Sequence, residues 1–491
     1  MIQEGRNDMF VQQFFVKGLA HSSYLVAGSE TCAIVDPRRD VQIYLDAAEE
    51  MGMEITHILE THLHADFISG HMDLQKRTGA KIYAPKAGNS KFKHVAVQQG
   101  DTFQIEDMEF RVLDTPGHTP EHVSYVVSDR ARGSTPVALF CGDTLFVGDV
   151  GRPDLFPGIA EKLASQLFDS LHKKLLKLPD SCMVYPAHGA GSLCGRAMGA
   201  MRTTTIGYER KYNGALQIKK KKEFIESLTT NMPGAPDHFS RCSAINGSGP
   251  VLVGKTPTML AMKSLVFHRR AQRKDTVVLD TRSYGRYGGH HIPGSYHVDI
   301  GGNFATFSGW VVPPNVDVLL VSSDEAQARE ARVWLQRVGI DRVVGFLDGG
   351  MFEWAKAGLP TSHVPQLSSQ ELNALTCKGA EIQLVDVRSP REFEANHIEG
   401  SINIPAPSLR SEYKKLDPRL STVLLCSTGH RSSLGASLLQ QRGFAEVYNV
   451  AGGMTGYSAA GFSGACPVCI VPHGPRFLGT KIKAGKMKKL A

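Results

Sequence analysis

Short apolar runs separated by polar turns make up the first half of the chain. Runs rich in β-branched residues lie at 31–36, 55–61, 110–115 and 137–143, and stretches of helical character lie between them. Each run ends at, or just before, an Asp, Gly, His or Pro residue. Such runs are typical of strands in α/β sheets, where side chains at strand ends are available for function. The pattern therefore predicts an α/β domain over residues 1–249.

The second half of the chain contains a long internal repeat. Val-Val-Leu-Asp-Thr-Arg-Ser at 277–283 matches Gln-Leu-Val-Asp-Val-Arg-Ser at 383–389, and His-Ile-Pro-Gly-Ser at 291–295 matches His-Ile-Glu-Gly-Ser at 397–401. Both matches are offset by 106 residues. A period of this length, seen twice, is typical of a duplicated domain and not of a solenoid.

Length and composition agree with three folded domains. The chain has 491 residues, 42% of them hydrophobic and 21% charged, which suits about three globular domains of roughly 150 residues each. We place the second domain at 265–362 and the third at 366–462, with a tail at 463–491. Asn-Gly-Ser-Gly-Pro at 246–250 is interpreted as a linker. We expect no membrane span, because no apolar run approaches about 18 residues.

The net charge of +7 comes almost wholly from the C-terminal end. Residues 473–491 carry six basic side chains and no acid, which leaves the remainder nearly neutral. We interpret this end as a solvated tail and expect no nucleic-acid partner, with a nucleic-acid or membrane-surface contact of the tail as the alternative.

Nine cysteines in a chain of this length predict a reducing compartment. The first residues include Glu4 and Asp8 and no apolar core, so we expect no secretory signal and a cytoplasmic protein. Cys466 and Cys469 form a single Cys-x2-Cys pair. Without a second ligand pair it is weak support for zinc, and the alternatives are no function, a redox or sulfur-accepting pair, or a metal shared with another chain.

Several metal-ligand residue types follow apolar runs in the first domain. Thr-His-Leu-His-Ala-Asp at 61–66 supplies His62, His64 and Asp66. Three further candidates each come just after an apolar run, and they are His118, Asp143 and His188. Strand ends at one sheet edge gather binding sites in α/β folds. A lone histidine after a strand is usually structural, but four such positions in order predict a metal site.

These residues resemble the His-x-His-x-Asp-His motif of the metallo-β-lactamase superfamily, over about residues 1–245. The resemblance implies an αβ/βα sandwich with metal at one edge. This chain has Phe67 where the superfamily has the last histidine, which in dinuclear members helps to hold a second metal. A single metal on His62, His118 and Asp143 is therefore favoured. Two histidines and a carboxylate suit non-haem Fe(II), but hydrolytic zinc also keeps three protein ligands and a water.

Further motifs narrow the resemblance to the persulfide dioxygenases. They are Gly-His-Thr-Pro-Glu at 117–121, Gly-Arg-Pro-Asp at 151–154 and the repeats that follow. The resemblance implies one Fe(II) per chain, bound by His62, His118 and Asp143, with zinc as the alternative metal. It also implies that His64, Asp66 and His188 orient ligands or water. Cys194 follows His188 by six residues and is either a buried thiol or a sulfur relay.

The second repeat carries a candidate nucleophile. Leu-Leu-Cys-Ser-Thr-Gly-His-Arg-Ser-Ser at 424–433 places Cys426 after an apolar strand and Arg431 at the start of a helix. A six-residue loop of this kind wraps backbone N–H groups around one sulfur or oxyanion and favours a thiolate. The segment 366–462 resembles the rhodaneses, which implies that Cys426 carries a persulfide while Arg431 and the loop amides hold the anion.

The first repeat has neither a cysteine nor an arginine at the corresponding positions. Alignment places Val321 or Ser322 opposite Cys426, and Gln327 or Ala326 near the arginine position. The fold class we predict is therefore α/β multidomain, an αβ/βα metallo-β-lactamase sandwich followed by two rhodanese-like domains, the first one inactive. Its role would be that of a rigid spacer or docking surface, with a residual anion site as the alternative.

Together these observations predict a bifunctional sulfur-oxidising enzyme. A low-molecular-weight thiol persulfide would be oxidised by O2 to sulfite at the metal, and Cys426 would transfer sulfur among thiosulfate, thiol and sulfite. The first alternative is a zinc-dependent thiolester hydrolase similar to glyoxalase II, and the second is a non-enzymatic sulfide-responsive module. The sequence leaves open which thiol is used, the direction of transfer and whether the chain forms a homo-oligomer.

Overall fold

The structure is a computed structural model that describes residues 9–196, 198–230, 234 and 236–462. In this part of the chain the strands form four sheets, two in the first half and one in each repeat. No helix of the described residues is long and apolar enough to span a membrane. The Cys466–Cys469 pair and the basic tail lie outside the described residues.

Two six-stranded sheets form the first half, with strand orders β1-β2-β3-β4-β5-β6 and β12-β11-β10-β9-β8-β7. The strands are β1 (Phe10–Val16), β2 (His21–Ala27), β3 (Thr31–Val35), β4 (Glu54–Leu59), β5 (Lys81–Pro85), β6 (Val95–Val97), β7 (Thr102–Ile105), β8 (Met108–Asp114), β9 (Val123–Asp129), β10 (Pro136–Gly142), β11 (Met183–Pro186) and β12 (Thr204–Thr205).

The two sheets lie face to face, with helices on both outer faces. Side chains of both sheets, such as Val26 and Leu59 from one and Phe110 and Val127 from the other, share one buried core. Separate cores join each sheet to its own helices. The helices are α1 (Gln42–Glu50), α2 (His71–Thr78), α3 (Ala160–Asp169), α4 (Ile206–Tyr212), α5 (Gly214–Gln217), α6 (Lys221–Thr229) and α7 (His238–Ser248). The predicted αβ/βα sandwich is confirmed.

The hydrophobic pattern of the strands follows from this arrangement. Strands β2 and β9 are buried along their whole length because both of their faces are covered. Strand β1 lies at a sheet edge and carries exposed or half-buried residues at its first four positions. Strands covered on both sides read as continuous apolar runs, whereas edge strands read as mixed.

Each repeat folds into a five-stranded parallel sheet, with orders β13-β17-β16-β14-β15 and β18-β22-β21-β19-β20. The strands are β13 (Leu260–Met262), β14 (Thr276–Asp280), β15 (Tyr296–His297), β16 (Asp317–Val321), β17 (Val343–Leu347), β18 (Gln366–Leu367), β19 (Ile382–Asp386), β20 (Ile402–Asn403), β21 (Ser421–Leu425) and β22 (Val447–Val450). The helices are α8 (Ser264–Ala271), α9 (Tyr284–Gly289), α10 (Phe304–Val311), α11 (Glu325–Arg337), α12 (Gly350–Lys356), α13 (Ser369–Cys377), α14 (Pro390–Ala395), α15 (Leu409–Glu412), α16 (His430–Gln441) and α17 (Gly453–Ala459).

The repeated Asp-x-Arg-Ser motif has the same structural role in both copies. The Arg282 guanidinium donates to both carboxylate oxygens of Asp280, and Arg388 does the same to Asp386. All four side chains are buried, so each charge is neutralised by its partner. The identical strand order and this shared ion pair agree with a duplicated domain.

The interpretation of 246–250 as a linker is wrong for its first three residues. Helix α7 continues to Ser248, and the buried Asn246 amide donates to the carbonyl oxygens of His64 and Phe67. Asn246 Oδ1 also accepts from the Ser69 backbone N–H. The Asn-Gly-Ser composition resembled a turn, but these tertiary hydrogen bonds stabilise the helix end.

The first repeat lies directly against the first domain. Arg337 donates to both oxygens of Asp40, at 2.7 and 2.8 Å. The Ile68 N–H donates to the Arg337 carbonyl. Phe67 is part of the same buried cluster as Phe304 and Leu335 of the first repeat. The contact therefore reaches the segment that carries the histidine motif.

Candidate metal centre and sulfur-transfer loop

The ends of three strands, one in the first sheet and two in the second, carry the predicted ligands to one edge of the sandwich together with one loop. His62 and His64 follow β4, Asp143 follows β10, and His188 follows β11, while His118 lies in the connection between β8 and β9. All five side chains are at most 1% exposed. The structure therefore brings together the residues that the order of motifs predicted.

His62, His118 and Asp143 form one convergent donor set. Asp143 Oδ2 lies 3.2 Å from His118 Nε2 and 3.9 Å from His62 Nε2. None of these three buried atoms has a hydrogen-bond partner in the described part of the chain. Because unpaired buried polar atoms are costly, three of them facing one point fit a metal ion.

The other ring nitrogens fix the tautomers that a metal needs. His118 Nδ1 donates to the Arg152 carbonyl oxygen at 2.9 Å. The Thr61 hydroxyl donates to Asp36, so its oxygen accepts from His62 Nδ1, also at 2.9 Å. Both Nε2 atoms therefore direct a lone pair into the site, as in metal-ligating histidines. Burial lowers the pKa of both histidines, which favours the neutral, ligating form.

His188 links the donor set to a second group of side chains. Its Nδ1 lies 2.7 Å from Asp143 Oδ1, and its Nε2 lies 2.8 Å from Asp66 Oδ2. Burial alone would lower the pKa of His188, but the carboxylates of Asp143 and Asp66 raise it well above its usual value. Burial would likewise raise the pKa of Asp143, but His188 and His118 hold it well below its usual value. His188 and Asp66 thus orient the Asp143 carboxylate.

His64 points away from the donor set. Its Nε2 lies 3.1 Å from Asp36 Oδ1 and 4.0 Å from Glu60 Oε2. Asp36 also accepts from the backbone N–H and the hydroxyl of Thr61, next to His62. His64 therefore acts on the site through Asp36 and the loop backbone and not as a member of the donor set.

Phe67 fills the position of the missing histidine with an apolar ring. It is fully buried, and its ring centroid lies 3.9 Å from that of His21 and 4.4 Å from that of His64. Phe67 therefore contacts two histidines near the candidate metal centre and also belongs to the buried core of the first repeat.

Cys194 lies beside the second group of side chains. Its thiol forms a potential donor set with Asp66 and His188, whose donor atoms lie within 4.8 Å of one another. Burial raises the pKa of this thiol, and the charges of Asp66 and Asp143 raise it further. The structure therefore brings Cys194 next to Asp66 and His188, and its role as a sulfur relay stays a prediction.

Two residues close to the donor set were missed by sequence reasoning. His122 accepts from the Asp143 backbone N–H at Nε2 and stacks on the His62 ring at 4.8 Å. Its position four residues after His118 was the available signal. His21 gave none, because it lies outside every motif and reaches the site only through the pairing of β2.

The candidate sulfur-transfer loop, residues 426–431, surrounds the Cys426 sulfur. Cys426 follows β21 directly, and its Sγ accepts from the Gly429 N–H at 3.1 Å and from the Ser432 hydroxyl at 3.3 Å. Gly429 has a φ of 102°, a conformation that glycine adopts without strain and that turns its N–H toward the sulfur. Both donors would stabilise a thiolate or the sulfur that it carries.

Arg431 contacts a carboxylate that sequence reasoning missed. Its guanidinium donates to both oxygens of Glu392 at 2.7 and 2.8 Å and to the Ser427 hydroxyl at 2.6 Å. A comparison of the two repeats could have indicated this pair. The first copy has Arg286 at the position of Glu392 and also lacks the loop arginine, so the two residues differ together. Glu392 thus binds Ser427 near the start of the loop and Arg431 at its end, and so holds both in place.

The Glu392–Arg431 pair predicts an acid-sensitive loop. Burial would raise the pKa of Glu392, but the hydrogen bonds and charge of Arg431 lower it to about 2. A carboxyl group whose pKa is lowered by folding stabilises the protein at pH values above its unfolded-state pKa of about 4.3. This stability is lost as the pH falls toward 2, the pKa in the folded state. Glu392→Gln should lower the free energy of unfolding at pH 7 by about 2 kcal/mol, after allowance for solvent screening. The unfolding temperature should fall accordingly. The difference from the wild type should narrow as the pH falls from 5 toward 3.

Thermal unfolding at several pH values checks this prediction, with the exposed Glu399→Gln as a matched control. A constant difference between Glu392→Gln and the wild type at every pH would contradict it.

The first repeat lacks these groups and instead supports the loop of the second. Ser322 follows β16 at the position of Cys426, and Asp324 caps α11 where an anion would bind. His297 lies 2.8 Å from the Ser433 hydroxyl, and Asp299 lies 3.6 Å from His430 Nε2. The first repeat therefore contacts the loop and the helix that present Cys426.

Comparison with known proteins agrees with this architecture. A model of the metallo-β-lactamase superfamily matches residues 16–188, and a model of the rhodanese-like domain matches residues 266–357 and 368–460. Over 169 residues the chain is 40% identical to a hydroxyacylglutathione hydrolase of Rhodospirillum rubrum. This match covers 34% of the chain, and the chain spans 60% of the length of that relative.

Two solved structures are also similar. ETHE1 from Myxococcus xanthus is 30% identical, with a TM-score of 0.43, over 49% of this chain and 99% of that one. A metallo-β-lactamase from Staphylococcus aureus is 34% identical, with a TM-score of 0.63, over 70% of this chain and 99% of that one. Because this second structure is matched over nearly its whole length, the chain belongs to the metallo-β-lactamase superfamily, with two rhodanese-like domains after its metallo-β-lactamase domain.

Proposed function

We propose that the metal centre oxidises the sulfane sulfur of a low-molecular-weight thiol persulfide and that Cys426 transfers sulfur between thiosulfate, thiol and sulfite. The overall reaction at the metal is RSSH + O2 + H2O → RSH + SO3²⁻ + 2H⁺. The observation that carries the proposal is the donor set of His62, His118 and Asp143, which has no further imidazole among the described residues. Two imidazoles and one carboxylate are the set that suits a non-haem Fe(II) oxygenase.

This chain's residues would hold and shape the site. His62 and His118 would bind Fe(II) through Nε2, and Asp143 through Oδ2, while the Arg152 carbonyl and Thr61 keep the rings in place. Fe(II) bound there would supply the redox chemistry by which O2 reacts with a sulfane sulfur. His188 and Asp66 would hold the carboxylate orientation, and Phe67 would keep bulk water from that side.

The same geometry supports one metal ion per chain. Both ring nitrogens of His188 lie within 2.8 Å of carboxylate oxygens, and Phe67 offers no ligand atom. A second ion on Asp66, His188 and Cys194 would have to break the His188–Asp66 contact.

At the loop, the proposed sulfur transfer is a displacement in two steps. The Cys426 thiolate attacks the outer sulfur of thiosulfate, the S–S bond breaks, and sulfite leaves with the bonding electrons. A thiolate then takes the outer sulfur from the cysteine persulfide and regenerates Cys426. The Gly429 N–H and the Ser432 hydroxyl would stabilise the anionic sulfur in both steps. The Arg431–Glu392 pair would hold the loop. Because Glu392 neutralises the Arg431 charge, the backbone and hydroxyl donors, and not Arg431, would hold the anion that the resemblance assigns to this arginine.

Fusion of the two sites suits their chemistry. Sulfite is the product of the proposed oxidation and a partner in the proposed transfer, in either direction. Linking the sites raises the effective concentration of one product near the other site.

A zinc-dependent thiolester hydrolase is the second candidate. Its support is the 40% identity with the hydroxyacylglutathione hydrolase of Rhodospirillum rubrum. His62, His118 and Asp143 would then hold zinc, which would supply the Lewis acidity for hydrolysis. Phe67 and the turn of His64 toward Asp36 weigh against a dinuclear hydrolytic centre.

Metal analysis of anaerobically purified protein tests the proposal. We expect about one iron per chain and little zinc, together with thiosulfate-dependent persulfide formation on Cys426. Zinc in place of iron, with cleavage of S-lactoylglutathione, would support the hydrolase instead.

Cys194 provides a further prediction for the oxidation. If its thiol relays sulfur, Cys194→Ser should lower the rate of persulfide oxidation by about tenfold while iron content stays unchanged, since it is not in the proposed iron-binding set. The measurement is the initial rate of O2 uptake. Cys182→Ala, which removes a buried thiol of another core, is the control. Unchanged kinetics for Cys194→Ser would exclude the relay.

A further inference from the structure

His21 is a buried polar side chain that the proposed mechanism does not use. It begins β2 and has no exposed surface. Among the described residues neither of its ring nitrogens has a hydrogen-bond partner. Leaving such a group unpaired costs about 1–3 kcal/mol, so native structures rarely do it without a non-protein partner.

The ring lies next to the groups that orient the metal ligands. Its centroid is 5.6 Å from that of His188 and 6.0 Å from that of His64, and one face rests on Phe67 at 3.9 Å. His21 therefore adjoins the metal centre on the side where Phe67 has replaced a ligand.

The backbone holds His21 in this place. An isolated bridge pairs His21 with His188, and the Ser22 N–H donates to the Ala187 carbonyl at 2.7 Å. Ala20, just before it, has a φ of 52°, which costs a non-glycine residue conformational energy. The Gly189 N–H donates to the Ala20 carbonyl at 2.9 Å, so the strained turn is fixed to the same loop.

A neutral imidazole at this position offers one N–H donor and one acceptor. Burial and the neighbouring His188 lower the pKa of His21, which agrees with a neutral ring. His21 is outside the donor sets of both His62 and Asp66, so ligation of a metal is not its geometry. A ligand that enters the candidate metal site can therefore supply the hydrogen-bond partner that the described protein atoms do not.

We propose that His21 is a positioning residue for the thiol persulfide, and that its ring N–H donates a hydrogen bond to the sulfur-bearing end of the bound substrate. The inference rests on the proposed function of the metal centre. On this proposal, the sulfur chain of the substrate lies on the side of the site where Phe67 replaces the histidine that holds a second metal in dinuclear members. Phe67 makes this side apolar. The acceptor nitrogen of the same ring is then free for a water or for the S–H of a protonated persulfide.

The test compares His21→Leu, which keeps the size and removes both polar atoms, with His21→Gln, which keeps a donor. Glutathione persulfide is the probe. We expect His21→Leu to raise the KM for O2 uptake about tenfold with a smaller effect on kcat, and His21→Gln to restore part of the loss. Iron content should match the wild type in both variants, and His57→Leu, a half-buried histidine on β4, should leave KM unchanged.

Binding without turnover gives a second measurement. Under anaerobic conditions the persulfide should raise the unfolding temperature of the iron-loaded wild type, and this rise should be largely lost in His21→Leu. Should His21→Leu fail to fold, His21→Gln and His21→Asn carry the same comparison.

The outcomes separate the two claims. Unchanged KM and an unchanged persulfide-induced shift in His21→Leu, in a protein whose wild type consumes O2, would overturn the role of His21 alone. A wild type that consumes no O2 with persulfide would overturn the proposed function and this inference together.

Discussion

Replacing His118 by alanine is expected to leave a folded protein with little bound iron and persulfide-dependent O2 uptake reduced by more than about a hundredfold. The reason is that a three-residue donor set loses one of its ligands, whereas loss of an orienting group already costs about 10- to 100-fold. His188→Gln, which removes an orienting group, should therefore fall in that lower range. Iron content by elemental analysis and O2 uptake by electrode measure both effects.

Two controls make this result specific to the metal. His57→Gln changes another histidine of the same segment, outside the donor sets, and should keep its iron. Sulfur transfer from thiosulfate at Cys426 should be unchanged in His118→Ala, since the loop is built in another domain. Full iron content in His118→Ala would contradict the assignment of the donor set.

Cys426→Ser is expected to abolish sulfur transfer to the background level. A serine oxygen keeps the contacts of the loop but cannot carry a sulfane sulfur as a persulfide. The sulfur-transfer rate from thiosulfate to a thiol, or to cyanide as acceptor, measures the loss. Iron content and O2 uptake should stay at the wild-type level.

The exposed Cys377 of the same repeat supplies the matched control, because Cys377→Ser removes a thiol without touching the loop. Sulfur transfer that persists in Cys426→Ser and disappears in Cys377→Ser would contradict the role of Cys426.

The convergence of the candidate ligands was predictable because the strands that carry them end at the same edge of the two-sheet sandwich. His62 and Asp143 each follow an apolar run, and this local rule needs no tertiary knowledge. The duplicated domain was predictable because the Asp-x-Arg-Ser motif occurs in both copies, where it forms the same buried ion pair.

Other features depend on contacts between distant segments and left little trace in the sequence. His21 reaches the centre only because β2 lies beside the loop of His188. The contact of His64 with Asp36 joins the loop after β4 to the end of β3, which a local sequence pattern does not indicate. The end of α7 was mistaken for a linker because Asn246 is stabilised by hydrogen bonds to the histidine motif and not by helix propensity.

The contacts of the first repeat with both neighbouring domains could likewise not be predicted from the sequence. The alignment of the two repeats shows that the first has Ser322 in place of the cysteine. It does not indicate that His297 contacts the helix that follows Cys426. Its packing against Phe67 on one side and α16 on the other joins the two proposed sites through one domain.

The most direct test of the proposed function is O2 uptake on addition of a thiol persulfide to the iron-loaded protein. We predict one O2 consumed and one sulfite formed per persulfide, and no uptake by the zinc-loaded protein. Cleavage of a thiolester without any O2 uptake in the presence of persulfide would contradict the proposal and favour a hydrolase.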